Sequence, residues 1–313
     1  MSNFLQNLIR RKRDITDTTL RNYMYSIKRV QRLLQVDHTD FESRADDIRR
    51  ELGGLKATVQ KGLVTALIVA ESAQGRPHPR LSKLLKDLAT SANEVERLQR
   101  KTDTDKKLWI SERDISKAIK RAKDDLGTPG KNKARHRVNS AIYFILLFLQ
   151  KYRIRNDLGA SLRFITKYEY NHLPREKQLS GNYLVGDEMI MLSDFKTAKH
   201  FRKRDMLPIT YRLDRKMKAH LKKYKKLLDG KDDFVFHRLN GKPLRGHPGR
   251  AVIGDWLRAA FRKYAGKSIS TSMMRKIFLT EMLGNDSSLA DRLDTMKRMQ
   301  QLSLIRQSTY VRK

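Results

Sequence analysis

The sequence predicts a mainly α protein with a small antiparallel β-sheet, arranged as a helical first part and a mixed second part. Three observations point there. Apolar residues recur at helical spacing through the first hundred residues. A polar stretch, Arg100-Lys-Thr-Asp-Thr-Asp-Lys-Lys107, then interrupts the pattern. Beyond it, two short apolar runs, Asn182-Tyr-Leu-Val185 and Met189-Ile-Met-Leu192, flank Gly186-Asp187-Glu188, which is a hairpin signature.

Taken in order, Thr16 or Asp17 caps a helix whose apolar positions are Leu20, Tyr23, Met24, Ile27 and Val30, with Arg21, Lys28, Arg29 and Arg32 on its other faces. Helices follow over Asp40–Leu52, Leu55–Ala73 and Leu81–Arg100, broken by Gly53-Gly54 and by the Gly75-Arg-Pro-His-Pro79 turn. These four make a bundle spanning residues 1–100. Residues 101–108 read as a linker, and 109–313 as the second domain, opened by Trp109 and a Ser111 cap. Helices are expected at Ser111–Leu126 and His136–Tyr152, then strand at Leu162–Tyr170, the hairpin, and a third strand at Met206–Thr210. From Arg212 the pattern reads as helical to the end. There is no internal repeat and no low-complexity tail.

Composition narrows the partners. The chain has 313 residues, 39% of them hydrophobic, enough for two domains with cores. Against 34 Asp and Glu stand 68 Lys and Arg, a net charge of +34. A surplus of that size repels itself and attracts a polyanion, nucleic acid first. A membrane surface is the rival, but the longest apolar run, Ala141–Leu149, falls short of the roughly 18 residues a span needs. In MSNFLQNLIRRKRD the charges follow a short apolar stretch, so it does not read as a cleavable signal. The expectation is a soluble intracellular protein that meets nucleic acid in the nucleus or the cytoplasm, without a membrane partner. There are no cysteines and only eight histidines, none in a HxxxH or HExxH pair. Disulfides, thiolate sites and Cys nucleophiles are excluded, and no metal or other cofactor is expected.

The candidate chemistry follows from what a tyrosine attack on a phosphodiester requires. Charge spreads over two non-bridging oxygens, which suits planar arginine forks, and the departing oxygen needs a proton. Four segments supply such groups in order: Tyr152-Arg-Ile-Arg-Asn-Asp157, Asp194-Phe-Lys-Thr-Ala-Lys199, Ser270-Thr-Ser-Met-Met-Arg275, and Met299-Gln-Gln-Leu-Ser303 with Gln307-Ser-Thr-Tyr310. With so many basic residues, a surface or backbone-phosphate role competes for each arginine, and a packing role competes for Tyr310.

In motif order over nearly the whole chain, the sequence resembles the tyrosine recombinase family, the phage-integrase-type DNA breaking-rejoining enzymes. Its Arg-Asn-Asp form is similar to versions from large DNA viruses and eukaryotic mobile elements. The resemblance implies a helical, SAM-like core-binding domain followed by an α+β catalytic domain. It implies Arg155 and Arg275 as phosphate clamps, Lys196 as the β-turn general acid, and Tyr310 as the nucleophile. Two positions depart from the family pattern: Ser272 stands where His-x-x-Arg has histidine, and Gln301 stands where a His or Trp precedes the tyrosine by nine residues. Ser and Gln still donate hydrogen bonds, but Ser cannot serve as the base a His provides.

The implied activity is site-specific recombination or integration through a 3′-phosphotyrosine, by a homotetramer on double-stranded DNA, without ATP or metal. Alternatives are a DNA-binding protein with weakened catalysis on the same scaffold, and a type IB topoisomerase or telomere resolvase. Lys199 is the alternative general acid. His200 reads as a solvated loop residue or a substitute proton-transfer group. The helix Lys216–Lys226 reads as a basic face lying along DNA.

Overall fold

The apolar stripes of the sequence close two separate cores. A computed structural model describes residues 2–12, 15, 17–37, 40–97, 101–126, 132–159, 161–195, 197–228, 230, 232–283 and 299. The chain is mainly helical with a small four-stranded mixed sheet, and it divides into two compact units, Met1–Arg100 and Lys101–Lys313.

The first unit holds α1 (Ser2–Lys12), α2 (Asp17–Leu34), α3 (Ala45–Leu52), α4 (Ala57–Ala73) and α5 (Pro79–Arg97). Leu20, Met24, Ile27 and Val30 of α2 are buried, the stripe that 3.6-residue periodicity dictates. α4 is apolar around most of its circumference and packs against α1, α2 and α5. Four helices are expected from the sequence and five are present among the described residues: α1 buries Leu5 and Ile9, a one-turn signal hidden by the Arg10-Arg-Lys-Arg13 run. α3 begins at Ala45 instead of Asp40, and in the segment before it the buried Glu71 carboxylate accepts the main-chain N–H groups of Phe41 and Glu42. Its other oxygen meets Arg76 Nε at 2.6 Å.

The second unit contains α6 (Asp103–Leu108), α7 (Glu112–Asp124), α8 (Lys133–Tyr152), β1 (Leu162–Ile165), α9 (Lys167–His172), α10 (Arg175–Ser180), β2 (Asn182–Val185), β3 (Met189–Leu192), α11 (Ala198–Arg202), β4 (Ile209–Arg212), α12 (Arg215–Lys225), α13 (Gly246–Ala265) and α14 (Thr271–Leu283). Residues 103–108, read as part of a linker, are helical: Thr102 Oγ1 accepts Asp105 N–H at 3.0 Å and Asp105 accepts Thr102 N–H at 3.3 Å, a reciprocal cap. Ser111 caps α7 in the same way. In α8, Ala141 and Tyr143 through Leu149 are all buried, so this helix is the spine of the unit.

Sheet order is β1-β2-β3-β4. β2, β3 and β4 are antiparallel neighbours, and Gly186 and Asp187 at the β2–β3 turn both adopt positive φ (56° and 57°), as a type I′ turn requires. β1 pairs parallel to β2, Leu162 opposite Asn182, so the sheet is mixed where an antiparallel one is expected. The reason is local. The strand expected to reach Tyr170 stops at Thr166, whose hydroxyl accepts Glu169 N–H at 3.1 Å and starts α9. α9 and α10 then return the chain to run beside β1 in the same sense.

Two further boundaries differ. β4 lies at 209–212, later than the expected 206–210, since Pro208 has no N–H for the ladder. Residues 226–228, 230 and 232–245 are not helical. Part of this segment covers the outer edge of β1, Phe164 N–H donating to Asp233 O at 2.6 Å and Val235 N–H to Leu162 O at 2.9 Å. No helix among the described residues is long and apolar enough to cross a membrane.

Candidate active site

α8 ends because Arg153 turns left-handed (φ 55°) and its N–H donates to Leu149 O at 2.8 Å. The chain then enters a short 3-10 turn, Asn156–Gly159. Ile154 and Leu158, each 1% exposed, fix the backbone on both sides of Arg155. Arg155 is half-buried, and its Nη1 is covered while lacking a hydrogen-bond partner among the described residues. A covered guanidinium donor left in that condition costs free energy that an incoming oxygen recovers.

Asp157, two residues on, is buried and meets Arg250 Nε of α13 at 3.4 Å. Arg250 also reaches Asp194 Oδ1 through Nη2 at 3.4 Å. Asp194 belongs to the turn after β3. That turn is held by Asn182, whose Oδ1 accepts the N–H groups of Ser193 (3.0 Å) and Asp194 (2.9 Å) and whose Nδ2 donates to Asp194 O at 2.8 Å. One arginine therefore ties the Arg155 turn to the segment leading into position 196. Lys196 itself lies outside the described residues. Lys199 and His200 are exposed on α11.

α14 carries the third segment. Its N-cap is Ser270, whose Oγ accepts Met273 N–H at 3.2 Å. Ser272, one turn in, is exposed. Arg275, on the same face three residues later, is 1% exposed and donates through Nη2 to Met299 O at 3.1 Å. Met299, itself buried, is two residues before Gln301. Gln301 and Tyr310 lie outside the described residues.

α14 is held beside the Arg155 turn by a second set of contacts. The Arg153 guanidinium lies 4.4 Å from the centroid of the Phe278 ring, a cation–π contact, and bonds Glu112 at 3.2 Å. Glu112 N–H in turn donates to Glu281 Oε1 at 3.1 Å. Burial pushes the Glu281 carboxyl above its ordinary range, and the Glu112 carboxyl opposing it adds to that rise. At the front of the helix, Lys276 Nζ bonds the buried Asp105 at 2.6 Å. Burial works against the Asp105 charge, but Lys276 and the Thr102 N–H and hydroxyl outweigh it and hold the pKa below the ordinary value.

Of the six residues the resemblance implies, Arg155, Ser272 and Arg275 are described, and their segments lie together. Arg275 is covered by protein instead of facing outward. Sequence reasoning missed Arg250 and Asn182. Arg250 had a signal, since His247-Pro-Gly-Arg250 repeats the His-x-x-Arg spacing of the family. Asn182, within an apolar strand, was readable only as an odd polar residue.

No protein-family model matches the chain, and no curated protein does. Among solved structures, that of XerA recombinase aligns with a TM-score of 0.43 and 12% identity, over 100% of this chain and 94% of the other.

Proposed function

We propose that the chain is a DNA strand transferase of the tyrosine recombinase type, acting as an integrase or recombinase on double-stranded DNA. One observation carries this reading: motif segments far apart in sequence meet in one place, tied by Arg250 to Asp157 and Asp194, by Arg153 to Phe278, and by Arg275 to Met299 O. The covered Nη1 of Arg155, without a hydrogen-bond partner among the described residues, suits an anionic oxygen there.

In the proposed reaction the Tyr310 phenol, losing its proton to a base, forms a bond to the scissile phosphorus. Arg155 takes the growing charge on a non-bridging oxygen. The bond from phosphorus to the 5′ oxygen breaks, and Lys196 gives that oxygen its proton. A 5′ hydroxyl from another strand reverses the step, the bond energy having been kept in the phosphotyrosine. Four copies on two duplexes would exchange strands.

A second reading has its own observation. Arg275 is buried against a main-chain carbonyl, and Ser272 and Gln301 replace the family's expected residues. A scaffold that binds DNA but has lost cleavage would tolerate both. A suicide duplex nicked beside the cleavage site separates the two. A covalent adduct formed by the wild type and lost in Tyr310→Phe supports the enzyme. Its absence across pH, with duplex binding retained, sinks the enzyme and leaves the binding protein. Relaxation of plasmid without site preference would instead indicate the topoisomerase alternative.

A further inference from the structure

Away from these segments, the second unit holds a cavity of about 690 Å³ between α7, α8 and α12, within the size range of small-molecule sites. Helical spacing puts Lys216, Ala219, His220 and Lys223 of α12 on one stripe facing it, with Lys226 just past the helix end and Lys123 opposite on α7. None of these four lysines is paired with a carboxylate among the described residues. Several lysines elsewhere on the unit do have carboxylate partners, among them Lys151 with Asp214, Lys225 with Asp187 and Lys263 with Asp125. Among the described residues, no carboxylate lines the cavity. Four like charges around one hollow repel each other until an anion arrives.

The floor has a different character. Leu126, Tyr143 and Leu227 line it with apolar surface. His220 bonds the Ser140 carbonyl through Nε2 at 2.9 Å and meets the Tyr143 ring edge-on at 4.7 Å. A carbonyl only accepts, so Nε2 carries the hydrogen and Nδ1 is left able to accept. Burial lowers the His220 pKa, which keeps the ring neutral beside the lysines. Burial, and after it Asp124 and Asp214, raises the Tyr143 pKa, so that phenol keeps its proton.

We propose that this cavity binds a nucleoside triphosphate, the four lysines neutralising the triphosphate and the Leu126–Tyr143–Leu227 floor taking the base and ribose. A duplex presents phosphates along its length and takes protruding elements into its grooves. A hollow with a cationic rim and an apolar floor fits a compact molecule having both characters. The transesterification proposed above consumes no nucleotide, so this site stands apart from it and its test does not depend on DNA cleavage.

The test is a titration with a fluorescent ATP analogue at near-physiological salt, competed by ATP, inorganic triphosphate or adenosine. The double variant Lys216→Glu/Lys223→Glu should weaken binding by about a hundredfold, while Lys222→Glu, the same charge change elsewhere on α12, should alter it by less than about threefold. Ala219→Trp, which fills the hollow without altering charge, should abolish binding, and circular dichroism should show each variant folded. ATP should compete about tenfold better than inorganic triphosphate or adenosine. Equal competition by inorganic triphosphate, equal loss in Lys222→Glu, or unchanged binding in the double variant or in folded Ala219→Trp would each overturn the proposal. So would loss of duplex affinity in the double variant with nucleotide affinity intact, which would assign the lysines to DNA.

Discussion

Arg250 shows how much a single side chain can organise. Its contacts with Asp157 and Asp194 are both 3.4 Å long, and a planar fork reaches two carboxylates where an ammonium reaches one. Arg250→Ala should therefore lower the rate of adduct formation on the nicked duplex by about a hundredfold, the scale of small misplacements of reacting groups. Duplex affinity should change little, and Arg250→Lys should rescue only in part. Equal activity of the alanine variant would remove Arg250 from the site. The residue escaped sequence reasoning because the His-x-x-Arg place was given to Ser272 and Arg275, although His247-Pro-Gly-Arg250 carries that spacing. Arg155 and Arg275 were singled out because their order along the chain resembles a pattern. The burial of Arg275 was not legible, since Met299 lies 24 residues away and no local spacing reports the contact.

Glu281 gives a pH prediction at the same scale. Its folded-state pKa is raised from an ordinary value of 4.5, by burial first. The folded chain thus holds a proton that the unfolded chain has already lost, and folding stability falls as pH rises above that value. Glu281→Gln keeps an acceptor for Glu112 N–H and removes the ionisation. Chemical denaturation of the variant should show a gain over the wild type that grows from about pH 4.5 toward neutrality. Parallel wild-type and variant curves would refute the account.

Among the elements, α14 depends on a helix that the sequence disguised as a linker. Polar composition hid α6, although the Thr102/Asp105 pair is itself a helix-start signal. Asp105→Asn should cost about 2 kcal/mol through the charge-assisted bond to Lys276. Because the Asp105 pKa is lowered in the folded state, the wild-type advantage is present above the ordinary carboxylate range. It should disappear as pH falls through the lowered value, where the two proteins converge in urea midpoint. The β2–β3 hairpin was legible from Gly186-Asp187, because a turn with two positive φ values selects its residues locally. The parallel pairing of β1 was not, since it depends on where α9 and α10 return the chain.

For the molecule as a whole, the excess of +34 dominates. Duplex affinity should fall by on the order of a thousandfold between roughly 50 and 200 mM salt if about six phosphates are contacted. A flat isotherm series would remove the electrostatic basis for a nucleic-acid partner. The two-part organisation was visible as a change of pattern near residue 100, because periodicity reports each core separately.

The strip formed by Asp233 and Val235 along β1 has a consequence for crowding. With that border occupied, strand addition from another copy is confined to the β4 margin, where Thr210 and Arg212 face outward and guanidinium repulsion discourages self-pairing. Copies crowded together are therefore guarded against fibril-like stacking at this margin.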